Sequence, residues 1–257
     1  MATDTHPNRA AILALGWGVV AALAVVVTWG RGIAMDLMLT VMSVVDLFGD
    51  AAVLPFEPDW TGAGLRALAT AVMAAVAWRV IRYQRISRGA CGRCGRDGGP
   101  VRDRRRAARW AAWLTLPPAL GYGALKIGWA FGATIGLADV DIFAGVEPWS
   151  PGFADTGVMA AVGIGIALAM AYRRPRLPRW LLLTPALIGC AMLLPVAVLG
   201  TIGNIADVHG AGFTGGLETW VFWFVYTCFA IWGAGLAVVT LEYHYGTRGR
   251  CRVCGRA

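Results

Sequence analysis

One fifteen-residue stretch occurs twice in the chain, and it constrains the fold more than any other feature. Residues 82–96 read RYQRISRGACGRCGR, and residues 242–256 read EYHYGTRGRCRVCGR. Seven positions are identical without a gap. Each copy contains a C-x-x-C-G-R turn that directly follows a long apolar segment, so we expect the two copies to form the same local structure at two helix ends.

Two C-x-x-C turns supply four thiolates, which is the number that a closed tetrahedral zinc site requires. Flanking arginines favour ionised thiolates and offset the negative charge of a zinc tetrathiolate. We therefore predict a structural Zn²⁺ cofactor in a small zinc-ribbon-like site between two knuckles, residues 88–96 and 248–256. Its ligands would be Cys91, Cys94, Cys251 and Cys254. A redox-active dithiol pair, a metal site formed between subunits and the absence of metal are the alternatives.

The composition is that of a membrane protein. Hydrophobic residues make up 58% of the 257 residues, charged residues 15%, and the mean hydropathy is +0.60, whereas soluble domains carry about 25% charged residues. Apolar runs of about twenty residues recur along the chain. The sequence predicts an all-α polytopic helix bundle in a single domain, 1–257, with six spans: Ala11–Trp29, Gly62–Ile81, Trp110–Phe131, Thr156–Tyr172, Trp180–Ile202 and Leu217–Thr240.

The region Ile33–Phe56 permits two interpretations. Its polar residues recur at helical spacing on one stripe: Asp36, Thr40, Ser43, Asp46 and Asp50. The helix lies on the membrane surface in the six-span interpretation, and it is a seventh span in the other. Surface-bound helices usually carry Lys or Arg on the polar face, and this stripe has neither.

The distribution of charge predicts the orientation. The arginines concentrate in 79–109, 173–179 and 248–256, which lie at alternate segment ends, whereas the carboxylates lie mostly at the opposite ends. The positive-inside rule therefore places both knuckles and the C-terminus in the cytoplasm of a bacterial plasma membrane. The net charge of +8 then reflects topology, so we expect the lipid bilayer, and a protein partner or a homo-oligomer, as partners, and no nucleic acid.

Three sequence stretches together resemble a group of uncharacterised multi-pass membrane proteins of actinobacteria. They are the YxxxxRGxCxxCGR pattern, ALKIGWAFGATIGL at Ala124–Leu137 and RLPRWLLLTPALIGCAMLLP at Arg176–Pro195. The resemblance covers most of the chain from Tyr83 onward and less before it. It implies a plasma-membrane location and transfers no catalytic residue.

Two further sets of residues are candidate sites. Lys126, the one lysine of the chain, falls inside an apolar segment, and an ionisable residue there marks a functional candidate. It would form an intramembrane polar site with Asp36, Asp46 and Asp50, or else reach the interface or form one structural ion pair. The predicted external ends offer a candidate acidic site for a divalent cation: Asp139, Asp141, Asp207, His209 and Glu218.

Four residues of the fourth segment predict a small-residue face for close helix packing: Gly157, Ala161, Gly165 and Ala169. The six segments would pair as three hairpins, and the zinc site would join the first hairpin to the last. Hydrolase, ATPase and dinucleotide-binding motifs are absent, so no catalytic residue is assigned. The sequence favours a non-enzymatic scaffold, receptor or sensor. A transporter or channel that uses Lys126 and acidic residues, and a membrane thiol oxidoreductase that uses the C-x-x-C pairs, are the alternatives.

Overall fold

The computed structural model of the chain describes residues 8–28, 36, 39, 40, 43, 59–97, 105–150, 152–173, 177–206 and 216–255. Within these ranges the secondary structure is helical, apart from one isolated bridge between Leu137 and Leu217. The helices are α1 (Asn8–Thr28), α2 (Trp60–Ile86), α3 (Arg105–Ala130), α4 (Ala154–Tyr172), α5 (Arg179–Ala206) and α6 (Thr219–Gly246). The all-α prediction is confirmed, with one helix for each of the six predicted segments.

Five of these helices are long and apolar enough to cross a membrane: α1, α2, α4, α5 and α6. Helix α3 is less apolar even beyond its N-terminal arginines, because Pro117, Pro118 and Lys126 lie within it. The membrane character predicted from composition is confirmed at this level. The choice between six and seven spans stays a prediction, because Asp36, Leu39, Thr40 and Ser43 are the only described residues of Ile33–Phe56.

The chain groups into two compact units. The first comprises Met1–Val101 and Gly249–Ala257, and the second comprises Arg102–Arg248. The last residues of the described chain therefore belong with the N-terminal hairpin and not with the helix that they follow. The prediction of a single domain over 1–257 stays a prediction.

The first unit is built on a hairpin of α1 and α2. The two helices pack closely at Gly16, where a side chain would collide with Val80. Asp59 caps the N-terminus of α2 by accepting a hydrogen bond from the amide of Gly62 at 2.9 Å. None of the residues of α2 is fully buried.

The second unit has a well-packed core. Helix α3 packs on α4 and α6, and α5 packs on α6. Small residues permit close helix contact, as at Gly163 against Trp232 and Gly235 against Thr115. The buried core consists mainly of Ala112, Ala119, Ala160, Ala167, Met170, Leu182, Ala186, Trp232, Leu236 and Val239.

The predicted small-residue face of α4 is wrong for two of its four positions. Ala161 and Gly165 are exposed, and the buried side of the helix carries Ala160 and Ala167 instead. Because an α-helix turns once in 3.6 residues, positions spaced by four drift around the helix and leave the contact within two or three steps. Gly157 does lie in a contact, against Ile127 of α3.

The two ends of the second unit differ in charge. At one end the Trp113 indole donates to the Tyr172 hydroxyl at 3.0 Å and Arg179 donates to the carbonyl of His244 at 3.2 Å, while Arg173 lies against Gly246. At the other end the Leu137–Leu217 bridge joins two connections that carry exposed carboxylates, at Asp139, Asp141, Glu147 and Glu218. Basic residues thus converge at one end of this unit and acidic residues at the other.

Candidate metal centre

The first knuckle is a tight turn directly after α2. The amide of Gly95 donates to the carbonyl of Cys91 at 2.7 Å, and the amide of Cys91 donates to the carbonyl of Arg96 at 3.0 Å. Gly95 has a φ of +75°, a conformation that glycine adopts without strain. This turn brings the side chains of Cys91 and Cys94 to the same side.

The second knuckle has the same backbone geometry. The amide of Gly255 donates to the carbonyl of Cys251 at 2.8 Å, and Gly255 has a φ of +69°. The helices before the two knuckles also end at equivalent positions of the repeat, Ile86 and Gly246, and the next residue donates its amide to Tyr83 in one copy and to Tyr243 in the other. The sequence repeat is therefore a structural repeat.

The four predicted ligands meet in the first unit. The Sγ atoms of Cys91, Cys94, Cys251 and Cys254 all lie within 4.8 Å of one another, and those of Cys94 and Cys254 are 3.6 Å apart. Four sulfurs at about 2.3 Å from a tetrahedral zinc ion would be separated by roughly 3.8 Å. The spacing fits one metal ion, and it is far longer than the S–S bond of a disulfide, which is about 2.05 Å. None of the four cysteines forms a disulfide.

Backbone amides favour the thiolate form of the first cysteine in each knuckle. The pKa of Cys251 is lowered to about 6, chiefly because the amide of Cys254 donates to its sulfur and secondly because the amide of Val253 does so. The pKa of Cys91 is lowered by the amides of Cys94 and Arg93 in the same way. Since metal ions bind the thiolate and not the thiol, these amides prepare both sulfurs for coordination.

Arginines surround the first knuckle and hold it in place. The guanidinium of Arg85, from the last turn of α2, donates to the carbonyl of Arg93 at 2.9 Å and lies beside Gly95. The guanidinium of Arg96 donates to the carbonyl of Gly249 at 3.0 Å and so connects the first knuckle to the start of the second. These two hydrogen bonds fix a backbone carbonyl of each knuckle.

One member of the predicted intramembrane polar site, Asp36, pairs with an arginine. Asp36 is 8% exposed and forms a two-point ion pair with Arg66 of α2, in which Nη2 and Oδ1 are 2.7 Å apart. Arg66 is not among the predicted site residues, although it is an ionisable residue in an apolar segment, as Lys126 is. Asp46 and Asp50 lie outside the described residues.

Lys126 lies in the second unit in an aromatic setting. Its Nζ is 5.1 Å from the centre of the Trp129 ring and 5.3 Å from that of Phe153, distances at which an ammonium is attracted to the face of a ring. In the part of the chain that the structure describes, no carboxylate forms a salt bridge with it. Two aromatic rings therefore lie beside this ammonium, whereas the predicted partners Asp46 and Asp50 lie outside the described residues.

The candidate acidic site is only partly described. Asp139 accepts a hydrogen bond from the amide of Asp141 at 3.0 Å, and the amide of Glu218 donates to the carbonyl of Gly136 at 2.9 Å. Asp207 and His209 lie outside the described residues. Within the described ranges, the four cysteines are the one group of metal-ligating side chains close enough to hold an ion.

Comparisons with other proteins add no second line of evidence. No protein-family model matches the chain, and no curated protein and no solved structure is significantly similar to it.

Proposed function

We propose that the chain is a non-catalytic integral protein of a bacterial plasma membrane, of the scaffold, receptor or sensor type, held together by one structural Zn²⁺ bound to Cys91, Cys94, Cys251 and Cys254. The observation that carries the proposal is the meeting of four thiols within 4.8 Å from two knuckles distant in sequence. Five membrane-length apolar helices support the location.

The donor set favours a thiophilic metal ion, such as the proposed zinc, over the common oxygen-binding ions. Four thiolates in a tetrahedral arrangement suit Zn²⁺ or iron, whereas Mg²⁺ and Ca²⁺ require oxygen ligands. A site in which the protein supplies all four ligands leaves no open position for a substrate or an activated water. Such a site stabilises a fold, and for this reason we assign no catalytic step to it.

The charge distribution supports a cytoplasmic location for the knuckles. In the first unit, the end of α2 that carries the knuckle holds Arg79, Arg82, Arg85 and Arg88. In the second unit, basic residues converge at one end of the bundle. The positive-inside rule assigns these ends to the cytoplasm, where the reducing environment keeps thiols available for metal.

The metal would act as a long-range cross-link. Cys94 and Cys254 are separated by 160 positions, so zinc closes a very long loop of chain. By the loop-closure relation for cross-links, a loop of this length removes about 5 kcal/mol of unfolded-state entropy. The cross-link would therefore stabilise the end of α2, a helix with no fully buried residue.

Elemental analysis of the purified protein tests the proposal. We expect one zinc per chain in the parent protein, loss of that zinc in both Cys91→Ser and Cys251→Ser, and a lower melting temperature in both. Cys190→Ser is the matched control, because Cys190 is a free thiol in α5 outside the cluster, and it should retain zinc.

A parent protein without bound metal would overturn the zinc proposal and favour the second candidate, a membrane thiol oxidoreductase. That candidate is supported by the lowered pKa of Cys91 and Cys251 and by the 3.6 Å separation of two thiols. It requires a disulfide that forms and is reduced again, which thiol trapping under oxidising and reducing conditions would detect.

A further inference from the structure

A groove beside the first knuckle has the composition of a lipid site. Trp78, Arg82 and Ile86 lie four residues apart and so share one face of α2. The groove has a volume of about 500 Å³ and is completed by Cys91, Arg93 and Val253, among others. All of these residues belong to the first unit.

Glycine at position 92 allows the knuckle to approach this face. A side chain there would lie 3.0 Å from the Cδ1 and Cγ1 atoms of Ile86 and 3.4 Å from Cγ of Arg82. The backbone of the turn therefore rests directly on α2 and forms the floor of the groove. The floor and its walls are parts of one local structure.

Two guanidinium groups in the groove are available to a ligand. Arg82 and Arg93 are both exposed, and neither forms a salt bridge with a carboxylate within the ranges that the structure describes. The Arg85–Arg93 hydrogen bond uses the backbone carbonyl of Arg93 and leaves its guanidinium out of that contact. Planar guanidinium groups bind phosphate oxygens through paired hydrogen bonds.

The remaining walls are apolar and open. Trp78 is 50% exposed, Ile86 56% and Val253 64%, so the arginines border a surface that water solvates poorly. Helix α2 has 27 residues and is therefore about 40 Å long at 1.5 Å per residue. Since the hydrocarbon core is about 30 Å thick, the last turns of α2 reach the headgroup layer, where tryptophan and arginine side chains are favoured.

We propose that this groove binds one anionic phospholipid of the leaflet that faces the knuckles, with its phosphate on Arg82 and Arg93 and an acyl chain along Trp78. The proposal rests on the proposed function for its membrane orientation. The lipid would cover the Cys91 wall of the groove, so it would also shield the first knuckle from water.

Native mass spectrometry of the purified protein, titrated with phosphatidylglycerol and with phosphatidylcholine, tests the site. We expect the parent protein to bind phosphatidylglycerol preferentially. The double variant Arg82→Gln/Arg93→Gln should bind it roughly thirty-fold more weakly, at about a factor of five for each arginine. Arg79→Gln/Arg88→Gln is the matched control, because it removes the same charge from exposed residues that do not line the groove.

An equal loss of binding in the control pair would overturn the proposal, because the effect would then be general attraction to a basic surface. Equal binding of both lipids by the parent protein would also overturn it. If millimolar glycerol phosphate displaced phosphatidylglycerol, the arginines would bind a soluble phosphate, and the lipid proposal would be contradicted. Zinc content measured on the same samples separates the two proposals. Preferential lipid binding by a protein without zinc would contradict the proposed function alone. Bound zinc without lipid preference would contradict the lipid site alone.

Discussion

The two knuckles share a backbone and differ in their supports. Both have a glycine in the left-handed region, at Gly95 and Gly255, and both direct amides at their first cysteine. The first knuckle, however, rests on α2 through Gly92 and is held by Arg85, whereas a side chain added at Gly255 or Gly249 would meet no atom within 4 Å. The repeated C-x-x-C-G residues form the turn. The contacts that support each turn come from positions at which the two copies differ, such as Arg85 and Gly92 in the first copy.

The residues before the turns show the same contrast. Tyr83 and Tyr243 occupy equivalent positions, yet Tyr83 is 38% exposed and Tyr243 is 6% exposed. Tyr243 lies in the core of the second unit, whereas α2 has no buried residue at all. One copy of the repeat therefore follows a well-packed helix and the other follows an exposed one. The first knuckle is therefore held by α2 and Arg85, whereas the second is connected to the first by the hydrogen bond from Arg96 to Gly249.

The largest expected effect comes from removing the second knuckle. A chain that ends at Arg248 should bind no zinc, because two of the four ligands are lost. The end of α2 should then exchange its amide hydrogens faster, while the core of the second unit is unchanged. Hydrogen exchange with mass spectrometry measures both regions in one experiment. The double variant Cys251→Ser/Cys254→Ser is the control, and it should behave as the shortened chain does; retained zinc in either protein would contradict the four-thiolate site.

An intermediate effect is expected at the two glycines of positive φ. Alanine at either position is strained by about 1–2 kcal/mol, which corresponds to roughly a five- to thirty-fold loss of zinc affinity when that strain falls on the metal-bound form. Gly95→Ala should cost more than Gly255→Ala, because its Cβ would lie 3.0 Å from Nε of Arg85. Chelator competition measures both affinities. A larger loss in Gly255→Ala would reverse the comparison and show that the second knuckle is the more constrained.

The smallest expected effect comes from exchanging the residues that follow the first cysteine of each knuckle, Gly92 and Arg252. Gly92→Arg copies the residue of the second knuckle into the first, where it would crowd Ile86. We expect a loss of about 1 kcal/mol in stability, at the low end for overpacking, because the exposed Ile86 side chain can turn away. The reverse change, Arg252→Gly, lies at an exposed position and should alter stability by less than about 0.5 kcal/mol. Thermal unfolding of the two zinc-loaded variants checks the pair, and equal shifts would mean that Gly92 has no special contact.

Much of the fold was predictable because its signals are local. Apolar runs of about twenty residues identify membrane-length helices, and the six predicted segments coincide with the six helices. The four cysteines were predictable for a related reason: a repeat with two C-x-x-C turns has few ways to satisfy four thiolates other than a common site. Helix ends were less well predicted. Helix α2 continues to Ile86, because Tyr83, Gln84 and Arg85 extend a helix beyond its apolar part.

The contacts that join distant residues were not predictable. The sequence separation of Asp36 and Arg66 does not indicate that they form an ion pair. The grouping of residues 249–255 with the first unit depends on tertiary packing. Lys126 shows the limit of arguing from charge alone. Its ammonium lies beside the rings of Trp129 and Phe153, which attract a cation without carrying a charge.

The first unit is formed by two stretches that lie far apart in the sequence, Met1–Val101 and Gly249–Ala257. It can therefore be completed only after the second stretch has been synthesised. When a ribosome has made Cys94, the matching pair is still 160 positions away, which is roughly 10–30 s of synthesis at ordinary rates. During that interval the chain has only two of the four cysteines of the cluster, while α3 to α6 are still being made. A metal ion that bound at this stage would have two ligands from the chain and would need others from outside it. Completion of the site is therefore a late event that records the successful synthesis of everything between the two knuckles.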